Sequence, residues 1–516
     1  MKKKLTRIVL RRRVFVMLAL LIQIAFFALL AVGTRNLRYA NWALNVISVF
    51  ACIHVLDKRS KAAYKITWIF LIMLFPIFGG ILYIYFYSQS NPRRLRRLIE
   101  FERRRSNEAC CLCGNRLPGL VEKYPECRPL ARYLQDFAGF PVYGGTKPLY
   151  FDSGELYFRR VLEELEKAKK YIFLEFFILR EGSMLNPIIS VLERKAREGL
   201  DVRIMYDDLG CLMSLPADYK QLLEEKGIKC MVFNPFRPIL SSLQNNRDHR
   251  KIIAIDGSTA FTGGLNLADE YINAVDRFGH WKDAAVMLEG EGAWSLTLIF
   301  MQMWNVSASL ENPSAAKDDY AAFYPWKDRP CGAVPDGFVQ PYADSPVDNE
   351  NVGEHVYIQI INQAKKYLYI NTPYLVPDDN LLSALALAAK SGVDVRIITP
   401  HRWDKWILAT TSRSYYRQLI LAGVKVYEYT SGFNHGKTFV CDDAVATVGT
   451  TNLDYRSLYL HFECGVLIYR GGAVMAVKED FLRTIPVSHE VSLRECARNF
   501  FQRIIPDLLR IFAPLM

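Results

Sequence analysis

The sequence predicts an α/β protein of two homologous lobes that share a site at their interface, preceded by an N-terminal transmembrane helical region. Three observations predict it. Strand-like and helical patterns alternate twice past residue 128, each copy ends in the same polar constellation, and long apolar runs fill the first ninety residues.

The chain has 516 residues, 51% of them apolar, which is too long for one ordinary core and too apolar for disorder. Its formal charge of +12 points to an anionic membrane or a nucleic acid, and the distribution of that charge separates the two. Residues 1–13 carry +7, residues 91–105 carry +5, and the short loops at 35–38 and 57–65 carry another +5. The remainder, 106–516, is left at −5. A slightly acidic body behind a basic, apolar N-terminus describes a membrane-anchored enzyme and disfavours a nucleic-acid binder, whose body should be basic.

The apolar runs lie at 14–32, 40–56 and 66–87, each near the length a helix needs to cross hydrocarbon. A first run of that length, followed by more, reads as an anchor and not as a cleaved signal peptide. Residues 1–90 are therefore expected to form a multi-pass anchor in the cell membrane, followed by a basic juxtamembrane linker at 91–135. Placing both basic segments in the cytoplasm requires an even number of crossings, so three full spans would break the positive-inside rule. Either the second run is interfacial or re-entrant, or one basic segment lies on the other side. The lobes are expected in the cytoplasm. The eleven cysteines agree, being odd in number and scattered. Cys110, Cys111, Cys113 and Cys127 contain one Cys-x-x-Cys spacing, which with no second pair reads as free thiols and no metal site.

In the body, EKAKKYIFLEFFIL (166–179) matches NQAKKYLYINTPYL (362–375), and REGLDVRIMYDD (197–208) matches KSGVDVRIITPH (390–401). The lobes are expected at 136–310 and 351–516, joined by a Pro/Asp/Gly-rich linker at 311–350. Such a duplication usually places its site between the copies.

Each copy ends in His-x-Lys-x4-Asp-x6-Gly-[Gly/Thr]-x-Asn. The first has His249, Lys251, Asp256, Gly263, Gly264 and Asn266; the second has His435, Lys437, Asp442, Gly449, Thr450 and Asn452. Residues i and i+2 of a strand share a face, so each His and Lys project together while Ile252 and Ala254 face the core. Asp256-Gly257 signals a two-residue hairpin that returns Gly263, Gly264 and Asn266 beside His249. Positive charge, amide donors and small residues are parts for binding a phosphodiester, and two half-sites supply two histidines, one to attack phosphorus and one to protonate the leaving alcohol. Each histidine needs a carboxylate to orient it; Glu463 in HFECGVLIY and Asp283 in the equivalent HWKDAAVML are the candidates. The catalytic set is thus His249, Lys251, Asp256, His435, Lys437 and Asp442, within which the turn aspartates are expected to support structure.

At these residues the sequence resembles the phospholipase D superfamily over roughly 140–516. The closer likeness is to bacterial cardiolipin synthases, through NNRDHRKIIAIDG, FTGGLNLADEY, YINTPYLVPDD and TTNLDYRS. The resemblance implies phospholipase D-like lobes and a transesterification with neither metal nor cofactor. One phosphatidylglycerol gives its phosphatidyl group to a histidine, glycerol leaves, and a second phosphatidylglycerol resolves the phosphohistidine to cardiolipin. It also implies that His249 is the nucleophile, His435 the general acid and then base, and that Lys251, Lys437, Asn266 and Asn452 hold the phosphate. Gly264 departs from the superfamily's usual Ser, leaving Thr450 as the only hydroxyl of that pair. The run at 14–32 exceeds the usual two-helix anchor. The rival readings are a membrane-bound phospholipase D that uses water as acceptor and a non-catalytic membrane scaffold. The second would require a broken motif, and both His-Lys pairs are present. The partners expected are phosphatidylglycerol and anionic membrane lipids; nucleic acid is not expected.

Overall fold

A computed structural model of the chain describes residues 35–58, 61–75, 79–80, 82–84, 93–114, 116–236, 242–314, 317–327, 331, 334–348, 350–497 and 499–515. The chain divides into two compact units, one of residues 1–92, 236–246 and 507–516, the other of 93–235 and 247–506.

The larger unit holds both copies of the repeat. The first contributes β1 (Thr146–Phe151), β2 (Tyr171–Phe176), β3 (Asp201–Asp207), β4 (Lys229–Phe233), β5 (Arg247–Asp248), β6 (Ile252–Ile255), β7 (Thr259–Gly263), β8 (His280–Lys282) and β9 (Ala285–Gly290). The second contributes β10 (Phe338–Asp344), β11 (Tyr367–Asn371), β12 (Asp394–Pro400), β13 (Lys425–Tyr429), β14 (Gly432–Asn434), β15 (Thr438–Cys441), β16 (Val445–Gly449), β17 (His461–Tyr469) and β18 (Ser488–Glu490).

The sheets have matching orders, β1-β9-β7-β6-β2-β3-β4 and β10-β17-β16-β15-β11-β12-β13-β18. In each, three strands run parallel, β2-β3-β4 or β11-β12-β13, and antiparallel hairpins extend the sheet on the other side. The crossovers are helices such as Leu185–Arg197 and Asp379–Lys390, the latter capped by the Asp378 carboxylate, which accepts from the Leu381 N–H at 3.0 Å.

Apolar side chains cover both faces of the first sheet, as its continuous YIFLEF strand requires. Phe173, Ile252 and Ala254 face one cluster; Ile172, Leu174, Ile253 and Ile255 face another. The first cluster also holds Tyr369, Val440 and Val466 of the second sheet with Trp294 and Phe300 of the helix Glu291–Glu311. That helix is apolar around most of its circumference because both lobes bury it.

Two boundaries differ from the sequence-based expectation. Most of 91–135 is built into the body: the helix Arg93–Cys110 turns Leu95, Leu98 and Ile99 onto the shared core. Its buried Glu102 pairs with Arg105 at 2.9 Å and accepts from the Tyr320 hydroxyl at 2.6 Å. The expected linker 311–350 contains β10, which pairs with β17 inside the second sheet.

In the smaller unit the helices Arg35–Asp57 and Ala62–Leu74 bury Ala51, Val55, Ile72 and Tyr83 together. Thr67 Oγ1 donates to the Ile511 carbonyl at 2.6 Å, and Phe70 meets Phe512 edge-on, so Ile511 and Phe512 pack on the helix Ala62–Leu74. Among the described residues no helix is long and apolar enough to cross a membrane. The run at 14–32 and part of that at 66–87 lie outside the described residues.

Candidate active site

The strand that leads into each signature histidine pairs with the other lobe. β5 runs parallel to the start of β17, matching Arg247 with His461 and Asp248 with Phe462, and the His249 N–H then donates to the Phe462 carbonyl at 2.9 Å. Reciprocally, β14 runs parallel to β8, matching Phe433 with Trp281, and the His435 N–H donates to the Lys282 carbonyl at 2.7 Å. Behind β5, Asp207 accepts from the Asp248 N–H at 3.1 Å and Arg250 bridges Asp248 and Glu175, each at 3.0 Å.

These registers carry each histidine to a carboxylate of the opposite lobe. His249 Nδ1 lies 3.0 Å from both Glu463 oxygens, and His435 Nδ1 lies 2.7 Å from Asp283 Oδ2. Both acids are fully buried. A carboxylate accepts, so Nδ1 carries the proton in each ring and Nε2 keeps its lone pair. Burial, followed by the charges of Lys251 and Lys437, holds the His249 pKa well below its ordinary value. Burial and Lys437 push His435 down to about 4 against the pull of Asp283. Burial works against Asp283 ionising, but His435 and Lys437 outweigh it and hold its carboxyl below the usual range. Both imidazoles are therefore neutral near pH 7.

Lys251 and Lys437 are almost wholly buried, and each ammonium donates to the carbonyl of its own motif histidine at 2.5 Å. Lys437 Nζ also lies 2.8 Å from His435 Nδ1. Burial depresses their pKa values to about 8 and about 7.

The carboxylates are seated differently. Thr450 donates its hydroxyl to Glu463, whereas Asp283 receives the Ala284 N–H at 2.8 Å and the Trp281 indole N–H at 3.4 Å. A Cβ on Gly264 would stand 2.0 Å from Asp283 Oδ1, so glycine is what lets the shorter carboxylate reach His435. That is the physical reason for the departure at Gly264.

Asp256 and Asp442 are not brought to the histidines, which corrects their inclusion in the catalytic set. They occupy hairpin turns at φ 51° and 53°, where Asp256 accepts from the N–H groups of Lys169, Lys170 and Tyr171 at 2.8–2.9 Å. Asp442 does the same for Lys365, Lys366 and Tyr367 at 2.6–2.9 Å. Each pins its hairpin to the start of β2 or β11. The first hairpin has three loop residues, since Ile255 pairs with Thr259, and not the two expected.

Asn266 is committed within the lobe, accepting from the Ile178 N–H at 3.0 Å and donating to the Tyr271 hydroxyl at 2.7 Å. Asn452 is buried with Oδ1 unpartnered among the described residues. Of the early cysteines, Cys110, Cys113 and Cys127 are buried and not in disulfides, and burial raises Cys113 and Cys127 to about 12.

Sequence reasoning missed His461, whose ring centroid lies 5.4 Å from that of His249, and Phe177, at 5.1 Å. His461 could have been found from the alternation of β17, because it stands two residues before Glu463 and shares its face. His249, His461 and Glu463 offer ligand atoms within 4.8 Å of one another. The ammonium groups of Lys251 and Lys437 stand beside the two motif histidines, which makes this an anion-binding environment and opposes a cation. Two imidazoles with unprotonated Nε2 atoms, one able to attack phosphorus and one able to take up and return a proton, and two buried ammonium groups suit the exchange of one phosphodiester bond for another.

Comparison with known proteins gives the same direction. The family model described as cardiolipin synthase, PLD-like domain matches residues 161–286 and again 357–485. A second model, phospholipase D-nuclease N-terminal, matches 43–86. The chain is 33% identical to a cardiolipin synthase of a Geobacillus species over 91% of this chain and 92% of that one. It is 33% identical to another from Alkalihalophilus pseudofirmus, covering 96% and 99%. Among solved structures, the phosphatidylserine synthase of Haemophilus influenzae shares the fold with a TM-score of 0.55 at 17% identity, covering 74% of this chain and 97% of that one.

Proposed function

Because the chain belongs to the cardiolipin synthase family of the phospholipase D superfamily, we propose that it joins two phosphatidylglycerol molecules into cardiolipin and glycerol. The observation that carries the reading is the reciprocal pair of histidines, each held at Nδ1 by a carboxylate of the other lobe. His249 Nε2 attacks the phosphorus of the first lipid; His435, neutral in the empty site, takes up a proton at Nε2 as the anionic phosphodiester binds beside it and gives that proton to the departing glycerol oxygen. A P–N bond forms and a P–O bond breaks. The neutral His435 then takes the proton from the primary hydroxyl of a second phosphatidylglycerol, whose oxygen attacks phosphorus and releases His249. Lys251 and Lys437 balance the charge on the phosphoryl oxygens. The exchange is nearly isoenergetic, so it requires no nucleotide.

The assignment of nucleophile to His249 and acid to His435 rests on the family likeness, and the geometry is compatible with it. Asp256 and Asp442 support structure in this scheme. Residues 1–90 form the membrane anchor: their apolar runs, the basic segments beside them and the N-terminal family match at 43–86 support that reading. A lipid substrate requires the same placement.

The test is to incubate the detergent-solubilised protein with phosphatidylglycerol alone, with His249→Ala and His435→Ala alongside. Cardiolipin and free glycerol are expected, with turnover lowered at least about 10³-fold in either variant. Phosphatidic acid as the lipid product would make water the acceptor. Near wild-type turnover in either variant would refute the shared site.

A further inference from the structure

The strands that position the two histidines lie beside strands that run out into exposed loops, one in each lobe. Asn434, the last residue of β14 and the neighbour of His435, donates its side-chain amide to the Ile398 carbonyl of β12 at 3.3 Å. Beyond β12 the chain forms the segment 401–405 and enters the helix Trp406–Leu421. Trp403 and Lys405 of that segment line a groove with Tyr374 and Phe433, and the Phe433 ring stacks on that of His435 at 5.6 Å. After burial, Lys251, Lys437 and His435, Lys405 is the next charge to lower the His249 pKa. In the first lobe the equivalent strand is β3. Its last residue, Asp207, holds the Asp248 N–H, and the short helix Asp208–Cys211 follows at once. A Cβ on Gly210 would stand 2.0 Å from the Phe177 carbonyl oxygen, so this turn lies against the residue whose ring is 5.1 Å from His249.

Both loops carry large apolar side chains outward. Trp403 is 46% exposed and Trp406 53%, with Ile407 exposed after them; across the site Met213 is 82% exposed and Leu209 is exposed beside it. Among the described residues of the larger unit no other tryptophan is exposed: Trp281 and Trp294 are buried, and Trp304 and Trp326 partly so. The segment is braced from beneath, which fixes the indoles in place. The Tyr374 hydroxyl donates to Asp404 at 2.6 Å, and Glu428 meets His401 Nδ1 at 2.9 Å and accepts from Arg413 at 2.8 Å. Arg402 and Lys405 are exposed between the indoles, while the acid of the segment, Asp404, is the one held by Tyr374. Indoles interleaved with cations suit an interface of anionic lipid, where the ring enters the boundary of the acyl chains and the cation meets phosphate.

We propose that these two loops seat the mouth of the site on an anionic phospholipid bilayer, with Trp403, Trp406 and Ile407 entering it from one lobe and Leu209 and Met213 from the other. The inference deepens the reading of the site as one that acts on phosphatidylglycerol, and it rests on that reading. His249 and His435 are buried, whereas the phosphate of a bilayer lipid is tied to its acyl chains by only a few bonds. It reaches the histidines with its chains left in the membrane when the mouth lies at the membrane surface. Charge selects this occupant over a neutral apolar partner, because the exposed cations stand out from a body that is acidic as a whole.

The experiment uses the full-length chain in nanodiscs of phosphatidylcholine and phosphatidylglycerol, with the double variants Trp403→Phe/Trp406→Phe and Trp403→Ser/Trp406→Ser beside the wild type. Bromine placed on the acyl chains near the glycerol backbone quenches indoles that touch it. The emission that separates the wild type from the Phe variant in plain discs should be mostly lost in brominated ones. Glycerol release is then compared for phosphatidylglycerol in the disc and for a short-chain phosphatidylglycerol dissolved in water, the latter given to protein in discs of phosphatidylcholine alone. The Ser variant should lower kcat/KM at least about tenfold on the bilayer lipid and less than about twofold on the dissolved one. Indoles at 403 and 406 that bromine leaves unquenched would overturn the proposal, and so would an equal loss on both lipids. Unquenched indoles with a fall from dimer to monomer in the Ser variant would make the patch an interface between copies of the chain. Quenching is read without turnover, so a wild type that releases no glycerol from either lipid would refute the proposed function while the bromine experiment still judged the loops.

Discussion

At Gly264 the two halves of the site part company, and the reason is the length of the acid opposite. Glu463 reaches His249 with room for the Thr450 hydroxyl beside it, while Asp283 is one carbon shorter and occupies the space a Cβ at position 264 would need. Gly264→Ser should therefore push Asp283 off His435 and lower kcat about 10²-fold with the fold retained, checked by turnover beside circular dichroism. The lysines carry a second prediction. Their folded pKa values are depressed to about 8 and about 7, so the charge proposed to hold the phosphate is present below that range and lost as pH rises through it. A pH profile of kcat/KM should fall between pH 7 and 8, and Lys437→Arg, whose guanidinium keeps its proton, should move that fall upward. The histidines and lysines were legible in the sequence because the repeat presents them twice at one spacing, and the two acids because each stands in the equivalent strand that follows, although at different distances past the motif asparagine. His461 was not, because its partner in the repeat is Trp281.

The elements that assemble the site are the shortest ones. β5 has two residues and β14 has three, and neither shows a period that marks a strand. They pair because the chain crosses there from one sheet to the other, β5 joining β17 before β6 returns to β2 and β7. That crossing also explains why His249 and Lys251 sit between strands and not in one. Long elements were easier to read: YIFLEF and YLYIN declare strands covered on both faces. The helix Glu291–Glu311 packs on the first sheet and on β10, and its Trp294 is fully buried in the core that both sheets share. Trp294→Ala should cost about 3–5 kcal/mol, measured by denaturant titration, with both lobes loosened together because they share this core.

For the whole molecule, the separation of charge bears on the proposed membrane placement. The basic residues flank the apolar N-terminus and the rest of the chain is slightly acidic, which suits a catalytic body held at an anionic lipid surface. In fractionated cells the protein should stay with membranes through high salt and alkaline carbonate and be released by detergent. Release by salt alone would make the attachment electrostatic and overturn the proposed anchor. The boundaries at 91–135 and 311–350 went unread for one reason. The helix Arg93–Cys110 is so rich in arginine that its apolar stripe of Leu95, Leu98 and Ile99 is masked in composition, and β10 lies within a stretch of turn-forming residues.

By itself the sequence determined the α/β class, the duplication and which motif histidines, lysines and acids to look for. Those follow from periodicity and repeated spacing, which are properties of one dimension. The tertiary structure decided which acid serves which histidine, why glycine stands at 264, and that the motif aspartates support hairpins away from the reacting centre. Those are matters of which atoms meet across the two lobes. The partners His249 and Glu463, or Asp283 and His435, are separated by 214 and 152 residues of chain and come together only when both sheets have formed around one core.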